Sequence, residues 1–251
     1  MNPLAVNIQD LGFVHPGQTA MLFSHLNLQV PAGKRFGLFG PNGAGKTTLM
    51  NLMTGLLSFK EGSIQLNGNE IKNKDKSINR LFGFIPQDFS FYQELTPVEN
   101  LQFFGAWSGL KSAVIKQRTD ELLAVLGLTA VRNKPIEKFS GGMKRRVNLA
   151  IGVIHEPSIL FLDEPTVGVD VQTRHAIINY LKEMNKKGTT LVYTSHQLSE
   201  AEDLCEEIAL IDQGRIIANG AIDRLLIAHE QKGLEELFLE LTGKNYRNAD
   251  V

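Results

Sequence analysis

The chain of 251 residues carries 26 basic and 27 acidic side chains, a formal net charge of −1. That balance gives no overall electrostatic pull toward nucleic acid or anionic lipid. A hydrophobic content of 43% suffices for a buried core, and a lone cysteine, Cys205, excludes an internal disulfide framework and suits a reducing compartment. Cys205 has no Cys or His beside it at ligand spacing and reads as a half-buried helix residue. No run reaches the length of a membrane span, and MNPLAVNIQD lacks the basic region and apolar block of a signal peptide. The expected location is the cytoplasm, with any membrane role coming through a partner.

LAVNI (4–8) and LNLQV (26–30) alternate apolar and polar residues, the pattern of strands with one face buried. Pro16-Gly17 is a turn signal between them. RFGLF (35–39) reads as a short buried strand and TTLMNLMTGL (47–56) as a helix. Between them stands GPNGAGKTT (40–48), which fits G-x-x-x-x-G-K-[ST] with Gly40, Gly45, Lys46 and Thr47 at the required positions. Pro41, Asn42, Gly43 and Ala44 fill the loop, and Thr48 follows it. Successive N–H groups in such a Gly-rich turn form a concave anion site, and the helix N-terminus adds its dipole. Lys46 then reaches the β- and γ-phosphates, and the Thr47 hydroxyl is a ligand for Mg²⁺.

SIQLNG (63–68) reads as a strand ending in an Asn-Gly turn, and the KNKDK charges that follow as a solvated connection to about residue 80. LFGFIPQD (81–88) is a short strand stopped by Pro86. VENLQFFGAW (98–107) and KQRTDELLAVLGL (116–128) then change to helical spacing, with Thr96-Pro97 as a start and Gly127 as a stop. FSGGMKRRVNLAIGVIHEP (139–157) reads as a helix opened by Ser-Gly-Gly and closed before Pro157. These pieces predict a helical subdomain, about 88–157, inserted into an α/β core.

ILFLDEP (159–165) is an apolar strand that delivers Asp163 and Glu164 at its C-terminal end, the edge where open α/β sheets bind ligands. An acid there can hold Mg²⁺ through water, and the next can polarise an attacking water. Neighbouring carboxylates repel, so one tends toward a higher pKa and becomes a usable base. VQTRHAIINYLKEMNKKG (171–188) is an amphipathic helix, TTLVYTSH (189–196) a strand, and IALIDQGRIIANG (208–220) a hairpin turning at 212–214; two short helices follow. Alternating strands and helices predict a phosphate-loop NTPase core with a mainly parallel sheet, preceded by an antiparallel β subdomain. The predicted unit is one domain over 1–243 with a tail at 244–251.

In order and separation, GPNGAGKTT, Gln87, FSGGM, ILFLDEP, VGVD and His196 resemble the ATP-binding cassette (ABC) ATPases over about residues 4–243. The resemblance implies ATP and Mg²⁺ as bound species. It makes Gln87 a hinge glutamine touching Mg²⁺ or the attacking water, Glu164 the general base and His196 a contact to the γ-phosphate. It makes Ser140, Gly141 and Gly142 the signature that faces ATP held by the opposite subunit, and Asp170 the inter-subunit aspartate. The sequence departs from the family pattern in two respects, at the signature and at the base-stacking position. Phe139 and Met143 replace the usual Leu and Gln of the signature. His15 occupies the position of a base-stacking Tyr, so either looser base selectivity or stacking by Phe13 is expected. Lys144, Arg145 and Arg146 read as a solvated face or as a contact to an acidic partner or the nucleotide across a dimer.

SGGMKRR with the C-terminal LEELFLELTG (234–243) resembles the cytoplasmic subunits of ABC-2 type exporters. That implies a homodimer around two ATP, an integral membrane permease as partner, no nucleic acid, and a peripheral place on the inner face of the membrane. Residues 88–110, with Phe89, Phe91 and Tyr92, read either as the permease docking groove or as core packing. Leu237, Phe238 and Leu241 are spaced to pack on the same domain. A soluble cassette ATPase uncoupled from transport and a non-hydrolysing regulatory cassette are the alternatives. The intact Lys46, Asp163, Glu164 and His196 argue against the second of these.

Overall fold

The computed structural model describes residues 3–73, 78–195 and 197–243, so the predicted tail lies outside the described residues. Chain order begins with β1 (Leu4–Phe13), β2 (Phe23–Pro31), β3 (Arg35–Phe39), α1 (Lys46–Met53), β4 (Glu61–Leu66) and β5 (Asn69–Glu70). It continues with β6 (Phe82–Ile85), α2 (Pro97–Trp107), α3 (Ser112–Val125), α4 (Gly141–Val153), β7 (Ile159–Asp163), α5 (Val171–Lys186) and β8 (Thr190–Ser195). α6 (Leu198–Leu204), β9 (Glu207–Asp212), β10 (Arg215–Ala221), α7 (Ile222–Ala228) and α8 (Leu234–Thr242) complete it.

The strands form two sheets. One is antiparallel, in the order β2-β1-β4-β5. The other runs β10-β9-β3-β8-β7-β6 and is parallel except for β10. Asn67 and Gly68 both take positive φ between β4 and β5, the primed turn that Asn-Gly favours.

Helix α1 lies between the sheets. Its Leu49, Met50, Leu52 and Met53 are buried in one core with Val6, Ile8 and Ile64 of the first sheet and Phe161 and Val192 of the second. The opposite face of the parallel sheet is covered by α4, α5 and α8, with Leu160, Leu162 and Leu191 packed among Val153, Leu181 and Phe238. Strand β7 is thus buried on both faces, which is why ILFL shows no alternation. Leu237 and Phe238 enter this core and Leu241 packs against it, as their spacing predicts.

α2 starts on a complete capping box. The Glu99 N–H donates to Thr96 Oγ1 at 3.2 Å, and the Thr96 N–H donates to Glu99 Oε2 at 2.8 Å. The Thr96 N–H and the Thr96 hydroxyl both donate to Glu99 Oε2 and lower the pKa of the Glu99 carboxyl. Leu101, Ile115 and Leu122 of α2 and α3 share their core with the parallel sheet.

Two expectations need correction. Helix α6 has no counterpart in the sequence reading, because seven residues hold too few apolar positions (Leu198, Ala201, Leu204) to declare a period. Cys205 is not a half-buried helix residue. It caps α6 in extended conformation, is only 8% exposed, and burial pushes its thiol pKa well up. Its sulfur crowds Gly37, where a Cβ would stand 2.9 Å away. In the charged connection, Lys72 places its ammonium 4.3 Å from the Phe59 ring centroid; residues 74–76 of KNKDK lie outside the described residues.

Candidate functional site

The loop from Gly40 to Gly45 joins β3 to α1, so the first N–H groups of the helix open into the loop. Its backbone permits little else than glycine at two places. Gly45 takes φ 109, and a Cβ on Gly40 would fall 2.0 Å from the Ile211 carbonyl oxygen. The turn of the β9–β10 hairpin braces the loop, with the Gly214 N–H donating to the Ala44 carbonyl at 3.0 Å. Lys46 is 6% exposed and its Nζ donates to the carbonyls of Gly40 (2.7 Å) and Pro41 (3.2 Å). Burial lowers its pKa, and the nearby Glu164 and Asp163 charges oppose that shift.

A cavity of about 710 Å³ opens on this loop. Asn42, Gly43, Gly45, Lys46, Thr47 and Thr48 line one wall, Gln87, Glu164 and Val167 another, and His15 with Leu22 a third. Asp163 lies behind, 1% exposed, and accepts hydrogen bonds from Thr194 Oγ1 at 2.6 Å and from the Thr47 side chain. Burial raises its pKa, opposed by those two bonds; the neighbouring Glu164 charge is a smaller raising cause. The main cause of the rise at Asp163 is burial rather than the expected mutual repulsion. Glu164 takes φ 49, an uncommon value for a residue with a side chain. Its N–H is held by the Thr194 carbonyl and hydroxyl, both at 3.2 Å.

The hydroxyl of Thr47 and the carboxylate of Asp163 are adjacent hard oxygen donors, which suits Mg²⁺. Among the described residues there is no cluster of three or more His, Cys, Asp or Glu able to hold a metal alone. A cation held by one carboxylate, one hydroxyl and substrate phosphates needs none.

The structure does not bring every predicted site residue to the cavity. Ser140 caps α4, its Oγ accepting from the Met143 N–H at 3.3 Å, and Ser140 and Gly141 are exposed. Asp170 caps α5 through Thr173. Ser140, Gly141, Gly142 and Asp170 are not among the cavity-lining residues. His196 lies outside the described residues. Phe13 is 5% exposed and packs against Phe23, so His15 is the ring at the cavity wall, its Nε2 3.3 Å from Thr48 Oγ1.

Of the Lys144-Arg145-Arg146 cluster, Arg145 is buried rather than solvated, whereas Lys144 and Arg146 remain partly exposed. Arg145 is 6% exposed and donates to the carbonyls of Gln87 (2.7 Å), Pro86 (3.5 Å) and Val167 (3.4 Å), with its guanidinium 5.0 Å from the Phe89 ring centroid. Arg146 donates to the Leu126 carbonyl at 3.0 Å, and Lys144 to Gln93 at 3.1 Å. Arg145 therefore ties α4 to both loops that flank the cavity. Arg145→Met should lower the unfolding free energy by about 1 kcal/mol or more, because it removes the hydrogen bonds of a buried guanidinium to the part-buried Gln87 and Val167 carbonyls. Urea denaturation reads this, and unchanged stability would contradict it. Sequence spacing held the signal: Arg145, Asn148, Leu149 and Gly152 form one helical stripe, and that stripe is buried.

Residues 88–110 divide in two. Phe89 stacks on Phe91 under Arg145, whereas Tyr92, Phe103 and Trp107 form an exposed aromatic row, Trp107 being 81% exposed.

Fold and site together define a phosphate-loop NTPase with the cassette arrangement of sheets. A family profile described as "ABC transporter" matches residues 23–167. The linearmycin resistance ATP-binding protein LnrL of Bacillus subtilis is 42% identical over 195 residues, covering 78% of this chain and 63% of its own length. The Nod factor export ATP-binding protein I of Cupriavidus pinatubonensis is 41% identical over 204 residues, covering 81% and 62%. A solved structure of the ATP-binding subunit of an ABC transporter superposes with a TM-score of 0.87 at 29% identity, over 95% of this chain and 99% of that one. The chain belongs to the ABC transporter family. It spans a little under two thirds of the length of the curated relatives it matches. Among the described residues no helix is long and apolar enough to cross a membrane.

Proposed function

We propose that this chain is the ATP-binding and ATP-hydrolysing subunit of an ABC exporter, dimerising around two ATP to drive a separate membrane permease. The observation that carries the reading is the convergence of Lys46, Thr47, Gln87 and Glu164 on one cavity, with Asp163 directly behind. The phosphates lie on the loop amides, and Lys46 turns to the β- and γ-phosphates. Thr47 and Asp163, with Gln87, would hold Mg²⁺, which would supply charge neutralisation on the phosphates. Glu164 accepts a proton from the water whose oxygen attacks the γ-phosphorus, while the bond to the bridging oxygen breaks. His196 contacts the γ-phosphate.

The exposed Ser140 and Gly141, standing apart from the chain's own cavity, support a site completed by a second copy. In that arrangement Ser140, Gly141 and Gly142 close over the partner's ATP, and Asp170 lies at the seam. The resistance and export roles in the names of the two relatives support export. In this reading the exposed row of Tyr92, Phe103 and Trp107 is the docking face for the permease, and the subunit sits peripherally on the cytoplasmic side of the membrane. Co-purification of the membrane partner with the full chain, and its loss in Trp107→Glu, tests that face; retained capture would move the docking site elsewhere.

His15 stacks on the base in this reading. His15→Tyr enlarges the ring and should tighten ATP relative to GTP by about two- to tenfold, the range of an aromatic contact. Equilibrium titration with both nucleotides measures it, and an unchanged ratio would mean that position 15 does not meet the base.

A further inference from the structure

Beneath the segment that follows Glu164 lies a buried carboxylate with no part in the chemistry described so far. Glu200, on α6, is 6% exposed. Its Oε1 accepts from Thr166 Oγ1 at 3.0 Å and its Oε2 from the Tyr193 hydroxyl at 2.7 Å. The two hydroxyl oxygens are themselves 2.9 Å apart. Thr166 is 3% and Tyr193 1% exposed, so water does not compete for these groups. Arg174 Nε of α5 stands 3.6 Å from Oε1, within ion-pair range but beyond a hydrogen bond.

The location gives this network its meaning. Thr166 is two residues beyond Glu164 and four before Asp170. The segment between them is otherwise held by the weak turn bonds Val167 N–H to Glu164 carbonyl (3.3 Å) and Val169 N–H to Thr166 carbonyl (3.4 Å), and by Arg145 on the Val167 carbonyl. Tyr193 lies on β8, next to the Thr194 that grips the Glu164 N–H. A carboxylate only accepts, so it draws both hydroxyl protons to itself and fixes both rotors. The same side chain thus links the segment carrying the base, the strand beside it and helix α6.

We propose that Glu200 is a positioning residue for hydrolysis: through Thr166 and Tyr193 it sets the orientation of the 164–170 segment, and with it the base and the inter-subunit aspartate. This rests on the ATPase reading given above. Glu200 touches neither the phosphate loop nor the cavity wall, so its loss should act on turnover and not on nucleotide affinity.

The test uses the full chain, with its membrane partner where activity requires it. Turnover at saturating ATP is measured per folded molecule, with ATP affinity and melting temperature determined on the same samples. Glu200→Ala should reduce kcat about tenfold or more with ATP affinity within about twofold of wild type, the split expected for an effect on the transition state. Glu200→Gln, which retains one acceptor and offers a donor to the second hydroxyl, should restore most of the loss. Thr166→Val, nearly isosteric, should reproduce the fall in kcat and keep the tertiary fold if the Ala variant does not. Wild-type kcat in Glu200→Ala or in Thr166→Val would overturn the proposal. So would losses of kcat and ATP affinity in equal proportion, the mark of a general disturbance of the nucleotide site. Absence of ATPase in the wild type would instead sink the reading on which the proposal stands.

Discussion

Glu164→Gln is expected to bind ATP as the wild type does and to lose turnover by at least about 100-fold, the usual contribution of a positioned base. The substitution keeps the volume and removes the proton acceptor. Glu164 lines the cavity, yet its backbone is fixed from outside it by Thr194, so the amide should sit where the carboxylate sat. With hydrolysis blocked, the ATP-bound dimer should accumulate and appear as a doubled mass in sedimentation with ATP and Mg²⁺. Hydrolysis at the wild-type rate would remove Glu164 as the base. A variant that binds ATP but stays monomeric, membrane partner included, would instead contradict the two-copy site.

Lys46→Ala should raise the Kd for ATP by roughly ten- to a hundredfold, since a charge-assisted hydrogen bond to phosphate is worth about 1.5–3 kcal/mol. Lys46 is the sole cation among the cavity-lining residues. The substitution releases the Gly40 and Pro41 carbonyls, but the loop should survive because Gly40 is also seated against Ile211 and Ala44 is bonded to Gly214. A melting curve close to wild type together with weakened nucleotide titration is the expected pair of results. Wild-type affinity would refute the assignment of this loop to phosphate binding.

The phosphate loop and the acidic strand end were legible because backbone geometry admits few residue types there. A positive φ at position 45 and a carbonyl against position 40 call for glycine, and a strand buried on both faces calls for the unbroken ILFL. Strand β3 matches its predicted bounds, and the helical block begins at its predicted cap. What escaped was direction and long-range company. A run of Lys-Arg-Arg says nothing about which side chain turns inward, and Arg145 turns inward onto carbonyls 58 and 22 residues away. The Thr166–Glu200 contact is of the same kind: the two residues are 34 apart and neither belongs to a recognisable motif. Thr194 left a faint trace, a polar residue straight after the apolar run LVY (191–193), but its partner Asp163 is set by the register of two parallel strands.

That register also governs when the site can exist during synthesis. Strand β3, which carries the loop, pairs among the described residues with β8 and β9, and β8 begins at Thr190. At about 5–20 residues per second, the ribosome needs roughly ten seconds or more to supply them after β3 emerges. Over that interval the nascent strand presents Phe36, Leu38 and Phe39 without a sheet to join, an apolar edge suited to chaperone capture.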